Sequence, residues 1–508
     1  MNTVREIWDF ASKKYAELTA VKWLKKKEII ERSYAGLNDD VVKVRKALKR
    51  EGFDGAHISL IGTASVEWIS AYLGITTGNN VAIPLDAGLP AEDLIALLQD
   101  CEAEALFLIP KGKLVAEAVK AACPKIKKIW LLQEEKDDAF ETLADLKEKA
   151  EGQDDVAGRR AEDIATLIYT SGTTGKAKGV MLTQANLANN VEAVPFSSHP
   201  GTVLLSVLPI HHAFCLVMDW LKGFSLGASV AINDSFMHMV RNMGIFKPEV
   251  MLMVPLMIET IYKRLSTVDP SLPKAVVAAN VFGENLKIIF TGGAHLDPFY
   301  VEAFAEYGVK VLEGYGMSEC SPVISSNTPD DYKVGSIGKP LSNVKIRFVN
   351  DEIQVQGSSV MQGYYRMPKE TEETIGDGWL HTGDKGYIDE DGFLFINGRV
   401  KNLIILSNGE NISPEEIENK LGINPLVGEV IVTGENNGLV ARIYPDQDVV
   451  KAKNLDEDTI KAGLEAAIKE FNRNQPTYRQ IISVVVRKNP FHRNSTRKIV
   501  RADAEIDE

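Results

Sequence analysis

The sequence is short of cysteine, of net positive charge and of long apolar segments, and each shortage excludes a class of protein. The four cysteines among 508 residues have neither metal-site nor redox-motif spacing, so we expect reduced, packed thiols. The net charge of −13 argues against a nucleic-acid-binding surface. No segment approaches the roughly 18 apolar residues that span a bilayer, and the start lacks a secretory apolar region. We therefore expect a cytoplasmic protein with at most peripheral membrane contact.

Helix-like and strand-like segments alternate through most of the chain. Residues 44–62, 65–86 and 93–110 each have the order helix, turn, strand, which predicts largely parallel sheets covered by helices. Residues 335–398 are instead rich in β-branched and turn residues, which indicates a β-rich subdomain. After Arg399 the pattern changes again, and an amphipathic helix is expected near 457–473.

These patterns predict an α/β protein with two domains. Residues 1–400 are expected to form a large N-terminal domain of parallel-type α/β subdomains plus the β-rich subdomain. Residues 401–508 are expected to form a small, mobile α+β C-terminal domain.

Residues 163–190 contain a loop rich in glycine, hydroxyl groups and lysine between an apolar strand and a helix with Thr183 as its N-cap. Such loops let backbone amides approach phosphate closely. The spacing is not that of a Walker A loop, because two residues separate Gly172 from Gly175 and Ala177 follows the lysine. A flexible surface turn is the alternative interpretation.

This loop closely resembles the phosphate-binding signature of the adenylate-forming superfamily, which covers acyl-CoA synthetases, peptide-synthetase adenylation domains and beetle luciferases. The resemblance extends from about residue 160 to the end, with the motifs in the expected order. It implies a nucleotide-binding loop, with Thr170 also catalytic, made of Thr170, Ser171, Gly172, Thr173, Thr174, Gly175 and Lys178.

Residues 286–322 are expected to form a βαβ unit, whose loops at the carboxyl ends of strands are usual ligand sites. By resemblance, Gly292, Gly293 and Ala294 line an adenine pocket, and Tyr315 stacks on the purine. Ser318 would contact the α-phosphate, and Glu319, as a catalytic residue, would hold Mg²⁺. The resemblance places five residues of this segment in the nucleotide site: Glu313, Gly314, Tyr315, Gly316 and Ser318.

Three further segments match the superfamily. In residues 378–418, Asp384 and Arg399 resemble the pair that holds the ribose hydroxyls, and Lys401 occupies the hinge position. Near the end, Lys498 matches the catalytic lysine and also contacts the nucleotide, although Arg497 stands where many relatives have glycine. The loop that resembles the lining of the thiol tunnel consists of Ser407, Asn408 and Gly409.

Residues 208–217 resemble a second motif of the superfamily, and by that resemblance His212 would lie beside the carboxylate site as a catalytic candidate. Core packing is an alternative, and so is metal binding with the adjacent His211. The metal interpretation is disfavoured because neighbouring side chains should point in different directions and no Cys or carboxylate partner has suitable spacing.

The resemblance implies an ATP-dependent acid–thiol ligase with Mg²⁺ and coenzyme A, which forms an acyl-adenylate and then a thioester. The alternatives are an enzyme that loads an acyl or aminoacyl group onto a carrier protein, a non-catalytic nucleotide-binding relative and, remotely, a luciferase-type oxygenase. Intact Lys498, Glu319 and Asp384 argue against the non-catalytic alternative.

The identity of the acid rests on weaker signals. Six of the 12 methionines lie between Met237 and Met257, and they could line a pocket for a flexible alkyl chain or simply pack in the core. Lys401 and the segment after it look most like long-chain acyl-CoA synthetases, which favours a medium- or long-chain fatty acid. Asp219 leaves an amino acid open, because amino-acid-activating relatives often have an ammonium-binding acidic residue near that position.

Overall fold

The computed structural model describes residues 1–109, 113–133, 140–171, 177–265, 268–269, 271–405, 411–435, 438–493 and 499–506. Several predicted site residues lie outside this part of the chain: Gly172, Thr173, Thr174, Gly175, Ser407, Asn408, Gly409 and Lys498. Of Ser171, only the backbone is described.

The described helices follow the periodic apolar segments of the sequence. They are α1 Val4–Lys14, α2 Tyr34–Arg50, α3 Val66–Thr76, α4 Ala91–Asp100, α5 Lys113–Ala122, α6 Leu143–Glu148, α7 Gln184–Ala193, α8 Gly223–Ser225, α9 Met239–Phe246, α10 Pro255–Leu265, α11 Lys274–Phe282, α12 Pro298–Ala305, α13 Pro368–Thr374, α14 Pro414–Gly422, α15 Gln447–Lys453 and α16 Glu457–Arg473. A π-helix, Phe214–Lys222, precedes α8.

The described strands are mostly short and apolar. They are β1 Thr19–Lys25, β2 Glu28–Ser33, β3 His57–Ile61, β4 Val81–Leu85, β5 Ala105–Leu108, β6 Lys128–Leu131, β7 Glu141–Thr142, β8 Ile164–Ser171, β9 Ala177–Thr183, β10 Val203–Ser206, β11 Ser229–Ile232, β12 Val250–Met253, β13 Ile288–Thr291, β14 Lys310–Gly316, β15 Val323–Ser326, β16 Lys339–Pro340, β17 Val344–Val349, β18 Glu352–Gly357, β19 Gly363–Tyr364, β20 Ile375–Gly376, β21 Trp379–Ile388, β22 Leu394–Arg399, β23 Ile404–Ile405, β24 Asn411–Ile412, β25 Val427–Glu435, β26 Gly438–Pro445 and β27 Ile481–Val486.

The chain divides into two compact units. The large unit comprises Met1–Ala294, Pro298–Ile346 and Val355–Leu380, and the small unit comprises His295–Asp297, Arg347–Gln354 and His381–Glu508.

Two extended sheets form the large unit. One has nine strands in the order β16-β15-β14-β13-β12-β10-β11-β1-β2, and the other has eight in the order β19-β9-β8-β4-β3-β5-β6-β7. Their central pairs are parallel. Antiparallel strands lie at both edges of the nine-stranded sheet and at the β19–β9 edge of the eight-stranded sheet, whose other edge strand, β7, is parallel to β6. Strands β4, β5, β11 and β12 are buried along their whole length, because helices cover both faces of a parallel sheet.

The small unit contains an antiparallel hairpin of β21 with β22 and a sheet in which β26 pairs with β25 and β27. The apolar faces of α14 and α16 pack on that sheet through Ile417, Leu421, Leu464 and Ile468. Helix α16 spans Glu457–Arg473, where the sequence predicts a helix, and Asp456 caps its N-terminus.

The predicted α/β class, with a large N-terminal domain and a smaller C-terminal domain, is confirmed. The domain boundary at residue 401 and the mobility of the small domain stay predictions. Each helix within the described residues is too short or too polar to cross a membrane. All four cysteines are buried free thiols.

Candidate active site

A β-hairpin flanks the predicted phosphate loop. Strands β8 and β9 pair in antiparallel register, and Thr170 lies opposite Lys178. The sequence predicts a loop leading directly into a helix, but β9 lies between them because Val180 and Leu182 pack inward. Thr183 then starts α7 with a capping box, as its N-cap role predicts.

A short edge strand lies against this hairpin. Gly363 and Tyr364 of β19 pair with Met181 and Val180 of β9. The pairing places the Tyr364 ring beneath the Lys178 ammonium, with Nζ 4.7 Å from the ring centroid. An ammonium over an aromatic face is attracted by the ring quadrupole.

The same tyrosine reaches the predicted metal ligand. Its hydroxyl donates to Glu319 Oε1 at 2.8 Å, and the backbone N–H of Met361 donates to the Glu319 carbonyl at 2.8 Å. Burial raises the pKa of Tyr364, and the neighbouring Glu319 charge adds to that effect, so the hydroxyl stays protonated and donates. Lys178 therefore lies over the ring of Tyr364, and Glu319 accepts from the hydroxyl of the same side chain.

The loop that carries Glu319 is held by a buried amide. Asn190 Nδ2 donates to the carbonyl of Val323 at 2.8 Å and to Ser359 Oγ at 3.0 Å, while its Oδ1 accepts from Val323 N. Gly316 allows the close approach at the start of the loop, since a Cβ there would lie 2.0 Å from the carbonyl oxygen of Pro322. Glu319 therefore projects from a fixed backbone.

The predicted adenine-binding residues follow two neighbouring parallel strands, β13 and β14, in which Thr291 is in register with Glu313. Gly293, at the carboxyl end of β13, has φ +83, a conformation that favours glycine. Tyr315 is buried near the end of β14. The remaining predicted residues lie within or directly beside these strand ends: Gly292, Ala294, Glu313, Gly314, Gly316 and Ser318.

The adjacent histidines do not behave as the sequence predicts. The rings of His211 and His212 lie side by side, with centroids 4.3 Å apart, so the expectation that they point in different directions is wrong. A turn closed by His212 N and the Pro209 carbonyl explains this, because a turn does not alternate side chains as a strand does. Burial, with His212 nearby, lowers the pKa of His211 to about 4.

Asp219 lies on the π-helix and is completely buried. The Cys215 thiol donates to its Oδ2 at 3.6 Å. Burial raises the pKa of the Asp219 carboxyl to about 7, partly offset by hydrogen bonds from Ser206 and Cys215. At pH 7 part of the Asp219 carboxyl population is therefore neutral, whereas an ordinary aspartate is fully ionised at that pH.

The small unit holds the predicted ribose pair. Asp384 and Arg399 are directly opposed in the β21–β22 hairpin, and Arg399 Nε donates to Asp384 Oδ1 at 2.9 Å. The Asp384 backbone N–H donates to Thr382 Oγ1 at 3.1 Å, which fixes the strand end. Lys401, two residues after Arg399, is exposed.

Glu319 has the chemistry of a Mg²⁺ ligand. Its Oε1 accepts a hydrogen bond from the Tyr364 hydroxyl, and its Oε2 has no hydrogen bond to any residue that the structure describes. No described cluster of three or more His, Cys, Asp or Glu could hold a metal by itself. Magnesium commonly binds one or two carboxylates together with substrate phosphates, so a single glutamate fits this ion.

Sequence reasoning missed Tyr364. The only signal was a Gly-Tyr-Tyr segment in the β-rich region, and that segment alone does not indicate its partners. The contact depends on the register of β19 against β9.

Comparisons with known proteins agree with this architecture. The model of the AMP-binding enzyme family matches residues 8–365, and that of the AMP-binding enzyme C-terminal domain matches residues 401–507. The long-chain-fatty-acid–CoA ligase FadD15 of Mycobacterium bovis is 29% identical over 75% of this chain and 71% of that protein. The 2-succinylbenzoate–CoA ligase of Bacillus cereus is 30% identical over 84% of this chain and 85% of that protein.

The solved anthranilate CoA ligase AuaEII in complex with anthranoyl-AMP shares the fold, with a TM-score of 0.86 at 21% identity over 99% of this chain and 97% of that chain. Fold and site thus define an adenylate-forming protein, as the sequence predicts. The chain belongs to the AMP-binding enzyme family, as an AMP-forming CoA ligase.

Proposed function

We propose that this ligase activates a medium- or long-chain fatty acid with ATP and Mg²⁺ and transfers the acyl group to coenzyme A. The observation that carries the nucleotide site is the convergence of Lys178 and Glu319 on Tyr364. A cation over the ring of Tyr364 and a carboxylate at its hydroxyl suit a phosphate chain and its metal ion, respectively.

The first half-reaction activates the acid. A carboxylate oxygen of the acid forms a bond to the α-phosphorus of ATP, and the bond from that phosphorus to pyrophosphate breaks. In our proposal Lys178 and the loop at 170–175 bind the phosphates, and Glu319 holds Mg²⁺, which neutralises phosphate charge when bound. Lys498 stabilises the charge that develops on the transferring oxygens.

The second half-reaction forms the thioester. The CoA sulfur attacks the acyl carbon, the carbon–oxygen bond to AMP breaks and AMP leaves. A thiol with a pKa near roughly 8.5 is nucleophilic enough for this displacement. We propose that a conformational change at Lys401 withdraws Lys498 and presents the thiol-tunnel loop of Ser407, Asn408 and Gly409.

The nucleoside would be held by two separate sets of residues. Gly293, Ala294 and Tyr315 are proposed to contact the adenine, and Ser318 the α-phosphate. Asp384 would accept hydrogen bonds from the ribose hydroxyls, with Arg399 orienting its carboxylate.

Two observations support a fatty acid over an amino acid. One is the likeness to the ligase FadD15. The other is Asp219, which is completely buried and whose pKa is raised to about 7, so binding of an ammonium group there would require the neutral part of the carboxyl population to ionise in a buried site. Five of the six clustered methionines are buried, whereas Met237 is exposed, so most of them pack within the large unit.

An aromatic acid is the second candidate, because the 2-succinylbenzoate–CoA ligase aligns with more of this chain than FadD15 does. A carrier-protein thiol remains the alternative acceptor to CoA. Carboxylate-dependent ATP–pyrophosphate exchange tests the acid, with fatty, aryl and amino acids in parallel. CoA and a holo-carrier protein then compete as acceptors, with Lys498→Ala as the inactive control.

Fatty-acid-dependent exchange followed by acyl-CoA formation is the expected result. Exchange with aryl acids alone would replace the fatty acid by the second candidate. Exchange with amino acids alone, or transfer only to the carrier, would contradict the proposal.

A further inference from the structure

We infer that Tyr364 is a positioning residue that fixes the carboxylate of Glu319 for the metal ion and the ammonium of Lys178 for the phosphates. This inference rests on the proposed nucleotide and Mg²⁺ site. It adds a residue that touches neither ligand but orients two groups that do.

The hydroxyl of Tyr364 selects which carboxylate oxygen is available. It donates to Glu319 Oε1 at 2.8 Å, and Oε2 has no hydrogen-bond partner among the described residues. Mg²⁺ demands near-ideal ligand geometry, and outer hydrogen bonds commonly orient carboxylate ligands. Without the hydroxyl, the Glu319 side chain would have to be ordered by the metal itself.

The aromatic ring performs a separate task. Lys178 Nζ lies 4.7 Å from the ring centroid, so the flexible lysine side chain rests on a rigid surface. The Lys178 ammonium lies over the ring face, whereas the Glu319 carboxylate lies at the hydroxyl. The ammonium is thus held for an anion without a direct ion pair to Glu319.

Tyr364 is itself fixed by its backbone. Its N–H donates to Thr371 Oγ1 at 2.9 Å, and its strand pairs with Val180. Gly363 has φ +145, and a Cβ at that position would meet Thr371 Cγ2 at 2.7 Å. The tyrosine therefore has a defined place relative to both functional side chains.

The chain supplies a matched control in the next residue. Tyr365 also donates its hydroxyl to a glutamate, Glu102 Oε2, at 2.9 Å. Loss of that hydroxyl removes the same kind of hydrogen bond from the same strand end without touching Glu319 or Lys178.

The test measures binding of the non-hydrolysable analogue α,β-methylene-ATP to the full chain by calorimetry, with Mn²⁺ titrated in and, separately, in EDTA. For Tyr364→Phe we expect about a tenfold higher Mn²⁺ concentration at half-saturation, at the low end of effects at outer-shell positions. Analogue binding in EDTA should not change, because the ring under Lys178 remains. Tyr364→Leu should weaken binding in EDTA as well.

Tyr365→Phe should bind like the wild type, and thermal unfolding of each variant establishes that it is folded. If Tyr364→Phe and Tyr365→Phe give the same Mn²⁺ titration while the wild type binds normally, the inference is wrong and the proposed function is untouched. A wild type that binds no analogue with or without Mn²⁺ overturns both.

Discussion

Arg399 Nε donates a 2.9 Å hydrogen bond to Asp384 Oδ1, across two strands in which the residues directly face each other. The Asp384 side chain is 8% exposed and that of Arg399 is 56% exposed, so the carboxylate is fixed within the hairpin and the guanidinium reaches solvent. A carboxylate held in this way is prepared to accept hydrogen bonds from two neighbouring hydroxyls.

Replacement of Asp384 by alanine should weaken ATP binding by about 10- to 100-fold, since hydrogen bonds to charged groups are worth about 1.5–3 kcal/mol. Calorimetry with ATP, 2′-deoxy-ATP and 3′-deoxy-ATP checks the cause. The wild type should discriminate against both deoxy analogues, whereas Asp384→Ala should bind all three equally. Glu390→Ala, an exposed change in the same hairpin, is the control. Retained discrimination in Asp384→Ala would show that the ribose binds elsewhere.

Lys498→Ala should separate the two half-reactions. We expect adenylate formation to fall by about 100- to 1,000-fold, the usual loss when one preorganised charge donor is removed. Thioester formation from a supplied acyl-adenylate and CoA should remain near the wild-type rate. Lys488→Ala, an exposed lysine of the same unit, should affect neither step. Equal loss of both half-reactions would contradict the proposed role of Lys498.

The local part of this structure follows from the sequence. Apolar periodicity places α16 correctly, the N-cap Thr183 marks the start of α7, and the βαβ order of residues 286–322 is observed as β13, α12 and β14. Each of these features depends on neighbours within a few residues, where propensity and capping act.

The missed features depend on long-range register. Tyr364 is 45 residues from Glu319, and its contact requires β19 to pair with β9 in one alignment. A shift by one residue would turn the ring to the other face. The paired rings of His211 and His212 likewise follow from a turn that the sequence pattern did not identify.

Asn190→Ala should destabilise the large unit. Asn190 is fully buried and bonds the backbone of Val323 through both its donor and its acceptor. Removal leaves buried backbone groups unpaired, at a cost of about 1–3 kcal/mol for each group. We expect a clearly lower thermal midpoint than for Asn189→Ala, its partly exposed neighbour on α7. Identical midpoints would show that the loop near Glu319 does not depend on this amide.

Asp219→Asn should stabilise the protein increasingly as the pH rises from about 4 to 7. Burial raises the folded-state pKa of Asp219 to about 7, whereas an unfolded aspartate titrates near its ordinary value of 3.8. Between these values the folded state binds a proton that the unfolded state lacks, so the wild type loses stability as the pH rises. Three pKa units correspond to a loss on the order of 4 kcal/mol.

Asparagine has a similar shape and does not titrate, so its advantage in unfolding free energy should grow through this window and level off above pH 7. Thermal unfolding at a series of pH values measures the difference. Asp330→Asn, an exposed change in the same unit, should show no such trend. If the Asp219→Asn advantage were constant with pH, the carboxyl would be ionised in the folded protein throughout the window. A charged Asp219 would then be able to bind a substrate ammonium, and the preference for a fatty acid would lose one of its two supports.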